Sequence, residues 1–218
     1  MYNYLIGDIH GNLSRLKELI AAVYKHITKE DTLIFLGDYI DRGELSFEVV
    51  ELIISLKKIF NTVCLKGNHE QMFLDYLEGV KDENIYFYNG GRATINSYKK
   101  HMGEMKLPEH HRIFFSDLKN FYEGDDFIAV HAGLDPSENH VEAQKEYDLL
   151  WIRDKFYHSN KKWNKTIIFG HTPAMFLAKG HDIYEDKEKN IIGIDNGVIY
   201  NRPIVCLRWP DRKVIKNI

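Results

Sequence analysis

The strongest constraint on this chain is a strand ending that recurs. Three short apolar runs, residues 2–6, 32–36 and 62–65, lead into Gly7-Asp8, Gly37-Asp38 and Lys66-Gly67-Asn68. Positions 8, 38 and 68 are separated by two equal intervals of 30 residues, about the length of one strand-helix-strand unit. The segments between them carry helical apolar faces: Leu13, Leu16, Leu19, Ile20, Val23 and Ile27 in the first, and Val49, Val50, Ile53, Ile54 and Leu56 in the second. Two later runs follow the same grammar, 127–130 into His131-Ala132-Gly133 and 166–169 into Gly170-His171-Thr172. The sequence therefore predicts an α/β protein in which five strands deliver a polar group at their carboxyl ends, the edge where open α/β sheets bind ligands.

Composition narrows the class. A chain of 218 residues with 44% hydrophobic and 28% charged residues buries a core without staples and is neither disordered nor collagen-like. Lys and Arg number 29 against 32 Asp and Glu, a formal charge of −3 with the signs interspersed. There is no basic footprint, so no nucleic-acid partner is expected. Cys64 and Cys206 both lie in apolar, strand-like stretches and read as buried thiols in a reducing compartment. No apolar run approaches the roughly 18 residues that span a bilayer, and the N-terminus enters a strand with no charged region ahead of it. No membrane association and a cytoplasmic location are expected.

The whole chain, 1–218, reads as one domain. Residues 79–126, with Tyr86-Phe87-Tyr88, Asn89-Gly90-Gly91 and Phe114-Phe115, read as a mostly helical cap inserted between the third and fourth strands. The charge run 184–190 reads as a surface turn, and 190–218 as a closing β-meander.

Taken singly, the polar strand-end residues are weak signals, since Asp often caps a helix and most histidines are surface or satisfied core residues. Seven of the eleven histidines (His26, His101, His110, His111, His140, His158 and His181) are expected to be of that ordinary kind. The other four, His10, His69, His131 and His171, follow strands or adjoin a candidate ligand. Their joint placement with Asp8, Asp38 and Asn68 points to metal binding, because imidazole is a poor helix cap. Mixed oxygen and imidazole donors suit Mn, Fe or Zn, whereas an all-oxygen set suits Mg or Ca.

Five motifs, Gly7-Asp8-Ile9-His10-Gly11, Gly37-Asp38-Tyr39-Ile40-Asp41-Arg42-Gly43, Gly67-Asn68-His69-Glu70, His131-Ala132-Gly133 and Gly170-His171-Thr172, occur in order. Together they resemble the phosphoprotein-phosphatase (PPP) family of calcineurin-like binuclear metallophosphoesterases, in its compact bacterial and phage branch. The Asp-Arg-Gly and Asn-His-Glu extensions favour this family over the wider superfamily, as does a single His after Gly170.

The resemblance implies a calcineurin-like fold, a central β-sandwich flanked by helices with a small helical cap. It implies two divalent metal ions, manganese first and iron or zinc as alternatives. Asp8, His10 and Asp38 would hold one ion, and Asp38 would bridge to a second held by Asn68, His131 and His171. A metal-bridging hydroxide would then attack phosphorus directly. His69 would act as the general acid with Asp41 orienting it, and Arg42 and Arg153 would clamp the phosphate. Arg153 reads as part of an amphipathic helix. The implied activity is a metal-dependent phosphomonoesterase of serine/threonine protein phosphatase type, acting on a phosphorylated protein or a small phosphoester. The alternatives are a dinucleoside polyphosphate (diadenosine tetraphosphate) hydrolase and a non-catalytic scaffold on the same fold, the latter disfavoured because no ligand position is missing. Asn196 is a departure, standing in Ile194-Asp195-Asn196-Gly197 where the family often has Thr.

Overall fold

The 30-residue repeat is a run of parallel strands. In the computed structural model, which describes residues 1–80 and 83–217, β1 (Asn3–Ile6) leads through helix α1 (Leu13–Val23) to β2 (Thr32–Phe35), and that through α2 (Ser46–Lys57) to β3 (Asn61–Cys64). The three strands pair in parallel, Leu5 beside Ile34 and Ile34 beside Val63. Helix α3 (Asn68–Glu78) follows at once. Next come α4 (Glu83–Tyr88), α5 (Gly91–Met102), α6 (Glu109–Ser116) and a short strand β4 (Phe121–Glu123).

The second half supplies β5 (Phe127–Val130), α7 (Glu146–Trp151), α8 (Asp154–Tyr157), β6 (Thr166–Phe169), α9 (Ala174–Leu177), β7 (Tyr184–Asp186), β8 (Ile191–Gly193), β9 (Val205–Trp209) and β10 (Lys213–Lys216). Two mixed five-stranded sheets result, in the orders β10-β9-β1-β2-β3 and β4-β5-β6-β8-β7.

Side-chain alternation explains why the sheets stack. Leu5, Ile34 and Leu36 from the first sheet meet Phe127, Ala129, Ile168 and Ile192 from the second in one buried layer. Their neighbours Tyr4, Ile6, Leu33 and Phe35 point the other way and join Leu16, Leu19, Val49 and Ile53 of α1 and α2. On the far face of the second sheet, Ile128, Val130, Ile167 and Phe169 pack with Leu149 and Phe156. Each central strand is buried on both faces, which is why it reads as a continuous apolar run. The layers are helix, sheet, sheet, helix, as the resemblance implies.

Three sequence expectations need correction, all outside the region 79–126, which is mostly helical as expected through α4, α5 and α6 and ends in β4, paired antiparallel with β5; Lys81 and Asp82 lie outside the described residues. Its helices bury Tyr86, Ile95, Tyr98, Phe114 and Phe115 in the same cluster as α1 and α2. The charge run 184–190 begins with edge strand β7, antiparallel to β8, because a charged strand is tolerated where one edge faces solvent. The closing stretch is not one meander. β8 joins the second sheet parallel to β6, and only β9 and β10 form a hairpin, against β1 in the first sheet; Ile218 lies outside the described residues. Arg153, finally, lies between α7 and α8 at the start of α8, with φ −133° and ψ −105°, and not on a helix face. Cys64 and Cys206 are buried free thiols, and among the described residues no helix is long and apolar enough to cross a membrane.

Candidate active site

The carboxyl ends of both sheets meet in a cavity of about 140 Å³ lined by His10, Asp38, Asn68, His69 and His171, with Arg42, Arg153 and Asp195 around them. The backbone is strained where it enters. His10, Asp38, Asp41, Arg42 and His171 hold positive φ of 47°, 52°, 70°, 68° and 62°, a region that L-residues avoid at a cost of about 1–3 kcal/mol each. These five are the majority of the eight non-glycine residues in that region among those described, so the strain is concentrated where side chains are aimed. Glycine is required beside them. A Cβ on Gly67 would collide with Asp38 Oδ1, and one on Gly170 with Asp8 Oδ1.

Asp38 is the centre of the arrangement. Its Oδ1 lies 3.4 Å from His131 Nε2, and its Oδ2 lies 3.6 Å from His10 Nε2 and 4.0 Å from His69 Nε2. Asn68 Oδ1 is 2.9 Å from His131 Nε2 and 3.0 Å from His171 Nδ1. His131 Nδ1 donates to the Leu36 carbonyl at 2.8 Å and His10 Nδ1 to the Ile40 carbonyl at 3.1 Å. Both rings therefore present an Nε2 lone pair to the site when neutral. Burial favours the neutral rings, pushing His131 down to about 3 and His10 well below the usual imidazole range, the latter helped by His69 and Arg42.

Two imidazole lone pairs thus face the two oxygens of one carboxylate, an arrangement that is repulsive unless a proton or a metal cation lies between them. A further nitrogen, His171 Nε2, is buried with no hydrogen-bond partner. Burial, with Glu70 and Asp195 as acidic neighbours, pushes Asp38 well above the usual carboxylate range, and burial with Asp195 and Asp38 does the same to Asp8. The buried groups His10-Asp38-His69 and Asp38-His131-His171, which share Asp38, fit a binuclear metal site.

Asp8 is turned so that both its carboxylate oxygens accept from the His171 backbone N–H, at 3.1 and 3.2 Å. It is buried and close enough to Asp38 and Asp195 to feel both charges. His69 differs from the other site histidines in its second nitrogen. Nδ1 lies 2.7 Å from Asp41 Oδ2, a carboxylate in place of a carbonyl. Asp41 is fully buried, and its other oxygen accepts from Tyr86 OH at 2.7 Å and Thr94 Oγ1 at 2.5 Å. Burial pushes Asp41 up to about 7 against the pull of those hydroxyls, while burial and Arg42 depress His69. Burial thus disfavours the charge on either member alone, while the 2.7 Å contact joins the two groups. Arg42 and Arg153 are exposed. Arg42 Nη1 lies 3.3 Å from His10 Nε2, and Arg153 Nη1 donates to Thr172 Oγ1 at 3.0 Å.

Several residues here carried no role in the sequence reading. Glu70 is buried and its carboxylate accepts from the backbone N–H groups of Asp38, Tyr39 and Gly67 at 2.8, 2.8 and 3.0 Å, tying the β2 and β3 turns together. Thr94 and Tyr86 bring α5 and α4 against Asp41. Asp195 lines the cavity and is pushed up to about 6 by burial. It ends the apolar run Ile191-Ile192-Gly193-Ile194, the same grammar as Asp8 and Asp38, and that signal could have found it. At the rim, Phe176 and Tyr200 expose their rings edge to face at 5.5 Å.

The family model described as calcineurin-like phosphoesterase matches residues 4–198. A bis(5'-nucleosyl)-tetraphosphatase PrpE [asymmetrical] of Oceanobacillus iheyensis is 24% identical, over 97% of this chain and 90% of that protein. A candidate serine/threonine-protein phosphatase of Schizosaccharomyces pombe is 30% identical over 70% of this chain, but over only 43% of its own length. Among solved structures, a candidate diadenosine tetraphosphatase superposes with a TM-score of 0.73 at 22% identity, covering 99% of this chain and 92% of the other.

Proposed function

The chain belongs to the calcineurin-like phosphoesterase family, and on that premise we propose that it is a phosphomonoesterase of serine/threonine protein phosphatase type, one domain with residues 79–126 as its cap. Asp8, His10 and Asp38 would hold one divalent ion, and Asp38, Asn68, His131 and His171 the other, with manganese first and iron or zinc as alternatives. When bound, the two ions supply an activated water and neutralise charge on the phosphoryl oxygens.

The remaining work belongs to side chains of this protein. Arg42 and Arg153 stand on the open side of the cavity, where planar guanidinium groups pair with phosphate oxygens in a way Lys cannot. His69 keeps its Nδ1 on Asp41, which leaves Nε2 to carry a proton toward the leaving oxygen. Asp41 holds the ring in place and balances its positive charge, and Thr94 and Tyr86 keep Asp41 from turning away.

The observation that carries this reading is the His69–Asp41 pair. A general acid accelerates loss of a basic alkoxide, such as a serine oxygen, and is of little use to a polyphosphate leaving group, which is already a weak base. One observation favours a second reading, asymmetric hydrolysis of a dinucleoside polyphosphate: the exposed Phe176–Tyr200 pair at the rim offers a face on which a base could stack, and the PrpE relative matches along nearly the whole chain. A panel of phosphoserine peptide, p-nitrophenyl phosphate and diadenosine tetraphosphate, assayed with manganese and then with chelator, decides between them. Chelator-sensitive release of phosphate from the peptide is expected. A kcat/KM for diadenosine tetraphosphate at least tenfold above that for the peptide would establish the second reading.

A further inference from the structure

Three histidines outside the catalytic cavity, His101, His110 and His111, were expected to be ordinary. Two of them converge on one atom. Glu51 Oε1, on α2, lies 2.6 Å from His110 Nε2 and 3.0 Å from His111 Nε2, both on α6. Consecutive residues on a helix point about 100° apart, so helix geometry does not by itself bring these rings together. They meet edge to face at 4.6 Å, and the three donor atoms lie within 4.8 Å of one another.

The surroundings orient the site. His111 is buried, its Nδ1 lies 2.8 Å from Tyr98 OH on α5, and its ring packs on Phe47 at 4.7 Å. When Nδ1–H donates to the phenol oxygen, the Nε2 lone pair faces Glu51. A hydrogen-bond partner on the far nitrogen that fixes the tautomer is the usual support of a metal-ligating imidazole. On the same stretch of α2, Phe47 stacks on His101 at 4.2 Å and Glu48 pairs with His101 at 2.9 Å, which fixes α5 beside the cluster.

We propose that Glu51, His110 and His111 form a binding site for one divalent transition-metal ion of the zinc class, separate from the catalytic cavity, which ties α6 to α2. Two imidazoles and a carboxylate are a donor set that suits zinc, with a fourth position left for water or the second Glu51 oxygen. His110 is half exposed and gives the ion a route in from solvent. The ion would fix a helix that packs beside α5, the element carrying Thr94 and Tyr98.

The test uses the full chain equilibrated with Zn(II), freed of excess by gel filtration and analysed for metal content. Wild type should carry about three ions per chain, and His110→Ala and Glu51→Gln about two. His158→Ala, which removes an exposed histidine far along the sequence, should match wild type. In an Asp38→Asn background the third ion should remain while the catalytic pair is weakened. There, zinc at about 100-fold over its Kd should raise Tm by roughly 5–10 °C, and adding His110→Ala should abolish the rise. Equal zinc content and equal Tm shifts with and without His110 would overturn the proposal. Because Asp38→Asn reads the cluster without the catalytic pair, that failure is distinct from a failure of the metal assignment in the cavity.

Discussion

The two sheets contribute unequally to the cavity between them. From the first sheet come Asp8, His10, Asp38, Asp41, Arg42, Asn68 and His69, on turns cross-linked by Glu70 and braced through Asp41 by Tyr86, Thr94 and Ser46, whose Oγ accepts from the Asp41 N–H at 3.2 Å. From the second come His131, Arg153, His171 and Asp195, and two of them are tied to the first half, His131 to the Leu36 carbonyl and the His171 N–H to Asp8. The Arg153 guanidinium donates to Thr172 Oγ1, and Phe176, Ile199 and Tyr200 beside it are exposed. On the proposed reading, the first half holds charge in fixed geometry, and the second closes the metal site and presents an open face to substrate. Variants in the first half should act on chemistry and metals, and variants at the open face of the second on substrate binding.

The largest effect should come from breaking the seam. Asp38 reaches toward His10 with one oxygen and His131 with the other, so Asp38→Asn weakens both ions at once. Loss of several kcal/mol of charge stabilisation corresponds to a roughly 10³–10⁴-fold fall in turnover, with metal content falling in parallel. Near-normal turnover at full metal occupancy would separate Asp38 from the metals and dissolve the link between the halves.

His69→Asn stays within the first half and should spare the metals. Phosphoserine peptide turnover should drop about 10²–10⁴-fold, while p-nitrophenyl phosphate, whose leaving group needs little protonation, falls much less. Equal losses on both substrates would show that His69 positions the substrate instead of donating a proton.

The arginines set the two halves against each other directly. Removing a charge-assisted hydrogen bond worth about 1.5–3 kcal/mol should lower kcat/KM roughly 10–100-fold, with metal content unchanged. Arg42 sits on a strained turn, its N–H donating to the Gly90 carbonyl at 3.2 Å, so Arg42→Ala should lower both kcat and kcat/KM. The Arg153 side chain is tied to Thr172 on the exposed side of the cavity, and Arg153→Ala should mainly raise KM. A kcat defect in Arg153→Ala as large as that in Arg42→Ala would erase the proposed division.

How much of this was legible in sequence follows the same division. Parallel strands joined by helices put Asp8, Asp38 and Asn68 at equal intervals, and their runs are continuous because both faces are buried, so the strands of the first half and these three positions could be read from spacing, whereas the roles of Asp41, Arg42 and His69 came only with the family resemblance. Local pattern misled where pairing is distant. Residues 191–193 belong with β6 and not with the β9–β10 hairpin, and β7 is a three-residue charged edge with no apolar period to see. Leu149-Leu150-Trp151-Ile152 suggests a helix continuing through Arg153, but the chain turns extended at Ile152, with φ −60° and ψ 141°. Tyr86 and Thr94 were invisible as partners of Asp41, 45 and 53 residues away, since neither hydroxyl carries a spacing signal.

The smallest effect should come from that last pair, and it tests whether the bracing of the first half tunes chemistry or only shape. Asp41 is pushed up to about 7 by burial and held there by hydroxyl donors from Thr94 and Tyr86 that favour its charged form. Thr94→Val keeps the volume and removes one donor, so the ionised carboxylate loses support and its pKa rises further. On the proposed general-acid role, Asp41 must be ionised to balance a protonated His69, so activity on an alkyl phosphate should be lost as pH falls through the pKa of Asp41. The acid limb of the kcat profile should therefore move to higher pH, by about one unit for one such hydrogen bond, with only a few-fold loss at the optimum and no change in metal content. Tyr86→Phe removes the companion donor from the same oxygen and should shift the limb in the same direction. A rate loss uniform across pH in both variants would mean that the hydroxyls merely pack the helices against the turn and leave the proton on the His69–Asp41 pair where it was.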